Sequence, residues 1–264
     1  MQLSQTRSFT LVIDEFQDFF RVNKAVYSEM QDTQLVDGGA LDKDAMIKYI
    51  VGPNSTFLNE GKNNLIEEFG KDYGIYFSIL SCIARGKNTR SEIEDVIGKE
   101  VGGYLTNLAE EYELISKRQP LFEKSANKSV RYELDDVFYS FWFRFIFKYS
   151  YVIEIENYVK LQEIIGRDYS TFSGLMLERY FHRVAMESGE FTRIGRWWDR
   201  KGENEIDMIA EDELNDRVTF CEIKRQAEVI SIGELKQKTE VMLQATHEFR
   251  KYDIRYKGLS MEEM

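Results

Sequence analysis

The sequence predicts an α+β protein of several domains, and three observations carry this prediction. The chain has 264 residues, enough for one large domain or for two to three small ones. It is 43% hydrophobic and 14% aromatic with only two prolines, so it can bury a core and is not a low-complexity chain. Its central part shows helical patterns followed by two short strands, and its C-terminal part has the element order α-β-β-β-α-β.

Composition also limits the compartment and the partners. Cys82 and Cys221 match no metal-binding spacing and indicate buried thiols in a reducing cytoplasm. The chain shows no signal-peptide pattern, and its longest aromatic run, FYSFWFRFIF, is interrupted by Arg144 and is too short to span a bilayer. We therefore expect a cytoplasmic protein with no membrane partner. The net charge of −11 argues against nucleic-acid binding by the molecule as a whole, but not against a local basic face.

An apolar run near the N-terminus ends in two acids, Asp14 and Glu15, within LVIDEFQDF. An ATPase strand of this kind delivers an aspartate to magnesium, but it needs a phosphate loop of the form G-x-x-x-x-G-K-[ST]. That motif is absent. Asn or Glu follows each of three glycine–lysine pairs, and none of the three has a glycine five positions earlier: Gly61-Lys62, Gly86-Lys87 and Gly98-Lys99. We expect no nucleotide binding by this chain alone.

The longer stretch LVIDEFQDFFRVNKAVYSEMQ resembles the magnesium-site strand and following helix of archaeal-type ATPases of the AAA+/STAND group. The resemblance implies that residues 1–31 are a remnant of an ATPase core, with Asp14 and Glu15 as vestigial cofactor-binding residues, and that residues 32–70 form a lid-like helical segment. ATP is a cofactor of the full-length family and is not expected here. A natural truncation, a misassembled gene and an engineered deletion all fit this pattern.

Residues 71–135 show three helical patterns followed by two strands, which is the order of a winged helix-turn-helix. Thr89 or Ser91 is the expected N-cap of the second helix. The third helix, within VGGYLTNLAEEYELI, is expected to turn its leucines inward, including Leu114. A winged segment also follows the ATPase core in the family named above, and YELDDVFYSFWFRFIF is one of the stretches that carry this resemblance.

The wing, here the stretch from Lys117 to Arg131, is the predicted nucleic-acid contact. The third helix carries several glutamates and no basic residue, so it is poorly suited to DNA. The wing has five basic residues against Glu123, an excess of +4 that can meet phosphates. The basic residues are Lys117, Arg118, Lys124, Lys128 and Arg131. The alternative is a winged helix that packs against another protein or a second copy of the chain.

Residues 136–168 are predicted to be an aromatic helical connector, and residues 169–264 to be the last domain. The order α-β-β-β-α-β of that domain resembles the core of the PD-(D/E)XK nucleases, the restriction-endonuclease-like fold. Archaeal-type ATPases of the group above often end in such a domain, with a Trp-rich strand similar to the one that contains Trp197 and Trp198. The predicted fold class is therefore a winged helix-turn-helix followed by a restriction-endonuclease-like domain.

This resemblance implies a catalytic site made of Asp207, Glu222, Lys224 and Glu178. Alternation along RVTFCEIKR places Glu222 and Lys224 on one face of a strand, about 6–7 Å apart, and Asp207 can meet Glu222 across the sheet. Two carboxylates and the Ile223 carbonyl suit Mg²⁺, with Asp207 and Glu222 as the metal ligands. Lys224 is expected to orient a water or to stabilise charge on the phosphate. Glu178 matches an additional helix acid of many members.

Several other residues are expected near the predicted catalytic site, as further metal ligands, as packing residues or as phosphate contacts. Glu203 and Glu205 are close enough to compete for the metal role, and His182 and His247 are expected to be surface or packing histidines. Basic residues for phosphate contact are Arg193, Arg196, Arg200, Lys201 and Arg225, together with Lys224.

Two classes of function follow from the sequence, and a third interpretation, an active ATPase, would require a phosphate loop supplied by another chain. The first is metal-dependent phosphodiester hydrolysis or DNA binding by the last domain. The second is a non-catalytic interaction module, in which Glu222 and Lys224 form only a salt bridge on a degenerate nuclease fold.

Overall fold

The computed structural model describes residues 43–122 and 130–264 of the chain. These residues form helices and two sheets, one antiparallel and one mixed, so the predicted α+β class is confirmed. The predicted ATPase remnant with Asp14 and Glu15 lies outside the described residues. Within the two described ranges, none of the helices is both long enough and apolar enough to cross a membrane.

The described residues divide into two compact units. The helical unit contains residues 43–118 and 131–170, and the sheet unit contains residues 119–122, 130 and 171–264.

The helical unit is built from short helices and one pair of strands. Its elements are α1 Lys43–Ile50, α2 Phe57–Phe69, α3 Tyr73–Ala84, α4 Arg90–Ile97, α5 Gly102–Glu110, β1 Ile115–Arg118, β2 Arg131–Leu134, α6 Val137–Phe141, a π-helical turn Trp142–Phe147, α7 Ser150–Glu154 and the first part of α8 Tyr158–Glu187. Helix α3 is the centre of the unit, because nearly every residue from Tyr76 to Ala84 is buried. The ring of Phe77 makes edge contacts with the rings of Trp142 and Phe143.

Of the two N-caps expected for α4, the structure selects Thr89. The Thr89 hydroxyl accepts from the Glu92 backbone N–H at 3.4 Å, and the Glu92 carboxylate accepts from the Thr89 N–H at 3.1 Å. This reciprocal capping box satisfies two backbone donors that the helix itself leaves without partners. The helix ends at Gly98, whose φ of 75° is easily adopted by glycine.

Helix α5 ends earlier than its sequence pattern indicates. Leu114 lies after the helix and is only partly buried, because the backbone leaves helical geometry before it, with a φ of 51° at Glu113. Strands β1 and β2 then pair antiparallel, with Ile115 opposite Leu134. Residues 119–122 do not continue this strand pair but belong to the sheet unit, where the Leu121 N–H donates to the Arg196 carbonyl at 2.8 Å. The polar turn predicted at residues 126–128 lies outside the described residues.

The sheet unit has the predicted element order. After the end of α8 come β3 Arg193–Trp198, β4 Glu205–Asp212, β5 Arg217–Ile223, α9 Ile232–Thr246 and β6 Asp253–Leu259. The strand order is β3-β4-β5-β6, with antiparallel pairs except for the parallel pair β5 and β6. That parallel pair requires a crossover, which α9 supplies. Helix α8 is continuous through residue 168, where the connector was predicted to end.

The core of this unit lies between α9 and one face of the sheet. Val218 and Phe220 on β5 pack with Leu235 and Met242 on α9. Strand β4 is nearly all buried, because β3 and β5 flank it, and three of its four acidic residues, Asp207, Glu211 and Asp212, are buried as well. This burial sets the electrostatic conditions of the candidate site.

The two N-cap alternatives for α4 can be separated by a matched pair of substitutions. Thr89→Ala removes a side-chain cap and should lower the free energy of unfolding by about 1 kcal/mol. Ser91→Ala changes an exposed residue within the first turn and should stay within about 0.5 kcal/mol of the wild type. Urea denaturation of both variants measures the difference. Equal losses in the two variants would contradict the assignment of Thr89 as the cap.

A second pair tests the packing of α2 against the aromatic core. A Cβ atom at Gly61 would lie 2.6–2.8 Å from ring atoms of Trp142, whereas one at Gly166 in α8 would meet no atom within 4 Å. Alanine gains about 1 kcal/mol over glycine in a helix, but overpacking costs about 1–3 kcal/mol. Gly61→Ala should therefore destabilise the protein and Gly166→Ala should stabilise it, as measured by thermal unfolding. A stabilised Gly61→Ala variant would show that this contact is loose.

Candidate functional site

Asp207 and Glu222 face each other across two neighbouring strands at one end of the sheet. In the antiparallel pair of β4 and β5, Met208 is opposite Cys221, and one step further along the same register places Asp207 opposite Glu222. Alternation puts these two carboxylates on the face that carries Ile209 and Phe220. Both side chains are buried, with 10% of Asp207 and 4% of Glu222 exposed.

Lys224 joins the two carboxylates. Its Nζ lies 3.0 Å from Asp207 Oδ2 and 3.1 Å from Glu222 Oε1. The Ile223 backbone N–H also donates to Asp207 Oδ2 at 2.8 Å, which holds that carboxylate against the end of β5. The three residues predicted from the strand pattern are therefore brought together around one ammonium group.

The surroundings of Lys224 keep its ammonium group charged. Burial lowers its pKa, but the nearby charges of Asp207 and Glu222 and the hydrogen bonds to them act in the opposite direction and are larger together, so the pKa is raised above its usual value. A lysine that stays protonated cannot accept a proton at neutral pH. It can supply positive charge and hydrogen-bond donors.

A second lysine, Lys238, contacts Glu222 and was missed in the sequence. Its Nζ lies 3.3 and 3.2 Å from the two carboxylate oxygens of Glu222. The signal that could have found it is helical spacing, because Lys238 lies three residues after the buried Leu235 and four before the buried Met242. A lysine on the inward stripe of a helix requires an anionic partner there.

Glu178 on α8 lies beside the same group of charges. Its carboxylate lies 3.5 Å from the Arg196 guanidinium, and both side chains are mostly buried. Burial, reinforced by the negative charges of Asp207 and Glu205, outweighs the opposing effect of Arg196 and raises the pKa of Glu178 to about 8. Glu178 is therefore mainly protonated at pH 7 and does not add a third full negative charge to the site.

His182, one turn after Glu178 on α8, supports the strand that carries Asp207. Its Nε2 lies 2.8 Å from the Asp207 backbone carbonyl and 3.4 Å from Arg196 Nε. The carbonyl can only accept, so the shorter contact indicates that Nε2 carries the proton and donates to Asp207. The prediction of a packing or surface role for His182 did not anticipate this contact.

The other basic residues expected near the site lie in different settings. Arg193 is engaged near the opposite end of β4, where it pairs with the buried Glu211 at 3.4 Å. Arg200 and Lys201 are exposed in the turn between β3 and β4, and Lys201 lies 3.9 Å from Glu203. Arg225 has its Nε buried, with no hydrogen-bond partner in the described part of the chain.

The two acids expected to compete for the metal, Glu203 and Glu205, also lie in different surroundings, and the second histidine, His247, lies at the end of a helix. Glu203 lies in that exposed turn, whereas Glu205 opens β4 and is close enough to raise the pKa of Glu178. His247 caps the end of α9 with a φ of 61°.

Two basic residues of the wing, Lys117 and Arg118, are paired with acids that a count along the wing leaves out. Lys117 lies 3.0 Å from Glu110 on α5, and Arg118 lies 3.3 Å from Glu133 and 3.8 Å from Asp135. Arg131 is opposite Arg118 in the strand pair, and Lys124 and Lys128 lie outside the described residues. The wing therefore presents less positive charge at its base than its sequence count of +4 indicates.

The donor set at Asp207 and Glu222 fits a hard divalent cation. Two buried carboxylate oxygens already share one cationic group, Lys224 Nζ, at 3.0 and 3.1 Å, so one small cation can be shared in the same way. In residues 43–122 and 130–264, no group of three or more His, Cys, Asp or Glu side chains is arranged to hold a metal ion. A metal here would therefore rely on two carboxylates, with the rest of its shell from backbone carbonyl oxygens, water or substrate.

The pKa of Glu178 leads to a prediction for stability without metal. Between its ordinary pKa of 4.5 and about 8, the folded state retains a proton that the unfolded state has lost. The stabilising contribution is therefore full below pH 4.5 and is lost as the pH rises through 8. Glu178→Gln stays neutral, so its stability relative to wild type should rise between pH 5, just above the ordinary pKa, and pH 9, about one unit above the raised pKa.

Urea midpoints in EDTA at the two pH values measure this change, and comparison with the wild type cancels the other titrating groups. Glu187→Gln, an exposed position on the same helix, is the control and should show no such trend. A Glu178→Gln variant that becomes relatively less stable at pH 9 would mean that the ion pair with Arg196 outweighs burial.

Part of the chain is similar to known proteins. Residues 142–242 match the family model DUF234, described as archaea bacterial proteins of unknown function. The chain is also 35% identical over 159 residues to an uncharacterized protein of Methanocaldococcus jannaschii. That match covers 56% of this chain and 35% of the relative, so the chain spans about a third of the relative's length. No solved structure matches the chain.

The segment that is similar to DUF234 contains the candidate site. Residues 142–242 include Glu178, Asp207, Glu222, Lys224 and Lys238. The family is described without an activity and the relative is uncharacterized, so the chemistry of this segment follows only from its geometry. What the comparisons establish is that the segment with the candidate site is similar to the archaeal and bacterial family DUF234.

Proposed function

We propose that the sheet unit is a metal-dependent phosphodiesterase that acts on DNA, built on a restriction-endonuclease-like fold. The single observation that carries the proposal is the convergence of Asp207, Glu222 and Lys224 at the end of β4 and β5. The element order around them, with a helix before three strands and a crossover helix after them, supports the same fold.

In this proposal Asp207 and Glu222 would hold the metal, with the Ile223 carbonyl as a further oxygen ligand. A bound Mg²⁺ would offset negative charge on the scissile phosphate and lower the pKa of a water ligand. Lys224 stays protonated and supplies hydrogen bonds to a phosphate oxygen, or positions the attacking water. The Lys224 side chain is 36% exposed and has room to move from the carboxylates to a substrate.

The neighbouring groups would keep this arrangement in place. His182 donates to the Asp207 carbonyl, and the Ile223 N–H donates to the Asp207 carboxylate, so the main chain and side chain of Asp207 are both fixed. Arg196 is held by Glu178 and offers a second positive group beside the site. Such support limits the motion of the carboxylates, and a site that performs catalysis requires this precision.

The helical unit supports an accompanying proposal of a winged helix-turn-helix. Helices α3, α4 and α5 precede the antiparallel pair of β1 and β2, which is the order that the sequence predicted. We also propose that the chain derives from an ATP-binding protein family of the AAA+/STAND group, which the sequence resembles. The sequence segment around Asp14 and Glu15 supports it.

A second function has its own supporting observation. Lys224 and Lys238 together pair the Asp207 and Glu222 carboxylates, so the cluster is stable as a closed set of ion pairs without any metal. A non-catalytic interaction module would need no more than this. The two functions differ in whether divalent cations bind, and this can be measured directly.

Substitutions at the site distinguish the two functions. Asp207→Asn and Glu222→Gln should abolish both Mn²⁺ binding and Mg²⁺-dependent cleavage of a labelled DNA duplex. Lys224→Met should retain Mn²⁺ binding but lose about 100-fold or more in the rate of cleavage, because only its charge at the phosphate is removed. Titration calorimetry measures binding, and denaturing gels measure cleavage.

The control is Glu228→Gln, which changes an exposed acid of the same unit and should behave as the wild type. If the wild type neither binds Mn²⁺ nor cleaves DNA, the nuclease proposal fails and the interaction module takes its place. Cleavage that persists in Asp207→Asn would place the activity elsewhere or in a contaminant.

A further inference from the structure

Lys238 is a charged residue of α9 that points into the sheet unit. It lies between Leu235 and Met242 on the inward stripe of the helix, and only 24% of its side chain is exposed. Its Nζ contacts both oxygens of Glu222, at 3.3 and 3.2 Å. Glu222 therefore has two ammonium partners, Lys238 from the helix and Lys224 from the end of its own strand.

The four side chains in direct contact form a balanced set. Asp207 and Glu222 carry two negative charges, and Lys224 and Lys238 carry two positive charges, so their formal sum is zero. The adjacent Arg196 lies 3.5 Å from Glu178, which is mainly protonated at pH 7, so this pair adds no net negative charge to the set. A divalent cation at the carboxylates would add two positive charges with no anion to offset them, which is costly in a buried site.

The two lysines differ in how each would respond to a metal. Lys224 occupies the position shared by Asp207 Oδ2 and Glu222 Oε1, and its exposed side chain can move away. Lys238 also contacts Glu222 Oε2, so its contact survives the loss of Oε1 to another cation. With Lys238 in place, Glu222 divides its single charge between the lysine and the metal.

The missing negative charge has an obvious chemical source. A phosphodiester brings one anion for each phosphate, and it can accept hydrogen bonds from the displaced Lys224 while it offsets the charge of Lys238 and the metal. Two ligands of opposite charge that enter one buried site raise each other's affinity, and the coupling is reciprocal.

We propose that Lys238 is a built-in counter-ion of Glu222 that weakens divalent-cation binding until a phosphodiester is present, so that the metal and the nucleic acid bind together. This inference rests on the proposed function and adds a positioning residue to it. Lys238 acts through Glu222, whereas Lys224 is the lysine that reaches the substrate.

The experiment is a titration of Mn²⁺ into the protein, alone and with a short DNA duplex. The variants are Lys238→Met, Lys238→Arg and, as a matched control on an outward position of the same helix, Lys236→Met. Glu222→Gln with the duplex gives the Mn²⁺ taken up by DNA itself. The duplex is then run on a gel to detect cleavage during the titration, and urea midpoints in EDTA report whether each variant is folded.

For the wild type, the duplex should raise Mn²⁺ affinity about tenfold or more. Lys238→Met should bind Mn²⁺ about tenfold more tightly without DNA and should lose most of the coupling, because Glu222 no longer shares its charge. Lys238→Arg keeps the charge and should behave as the wild type, and so should Lys236→Met.

Other outcomes show whether the role of Lys238 or the proposed nuclease function is wrong. If Mn²⁺ binds to the wild type and not to Asp207→Asn, but Lys238→Met shows unchanged or weaker affinity and unchanged coupling, the role of Lys238 is wrong and the proposed function stands. If the wild type binds no Mn²⁺ with or without the duplex, both are wrong. If Lys238→Met fails to fold, Lys238→Gln takes its place in the titration. In either case, a wild type whose Mn²⁺ affinity is unchanged by the duplex contradicts the inference.

Discussion

Burial of two carboxylates at the end of β4 and β5 is the constraint on which the organisation of the sheet unit depends. An ion that leaves water loses several kcal/mol of hydration even after the protein relaxes, and only close partners of opposite charge recover it. Asp207 and Glu222 are nearly inaccessible, and Lys224, Lys238 and the Ile223 N–H are their partners. The position of α9 over the sheet is therefore set by charge as well as by packing.

The same constraint explains why the site draws on so many elements. Strand β4 supplies Asp207, the end of β5 supplies Glu222 and Lys224, α9 supplies Lys238, and α8 supplies Glu178. Each contact is modest by itself, but removal of one partner leaves a buried charge uncompensated, and this costs about 3–5 kcal/mol. The contacts of this cluster to α8, β4, β5 and α9 join the layers of the unit.

The helical unit depends on packing of a different kind. The rings around Phe77 fill its centre, and Gly61 lets α2 approach the ring of Trp142 closely. At the surface of this unit, Lys117 and Arg118 meet acids from α5 and β2. Basic residues that are paired in this way would bind DNA weakly, because each phosphate contact has to compete with an existing ion pair.

Local features of this protein were determined by the sequence alone. The end of α4 at Gly98 and the element order of the sheet unit follow from short-range patterns, since caps and strand periods involve only a few residues. The start of α4 was narrowed to Thr89 or Ser91, and the structure selected Thr89. The same alternation placed Glu222 and Lys224 on one side of a strand, and their contact with Asp207 follows from a simple antiparallel register.

Tertiary structure decided which distant charges meet. Lys238 reaches Glu222 only because α9 crosses over the sheet, and Arg196 reaches Glu178 only because β3 lies beside α8. The acids that pair with Lys117 and Arg118 lie on other elements, so a count along the wing overstates its charge. The turn of the backbone at Glu113, which leaves Leu114 outside its helix, likewise depends on how α5 meets β1. Sequence periodicity indicates which face a side chain takes, but the charge that it meets there is set by the packing of elements far apart in the chain.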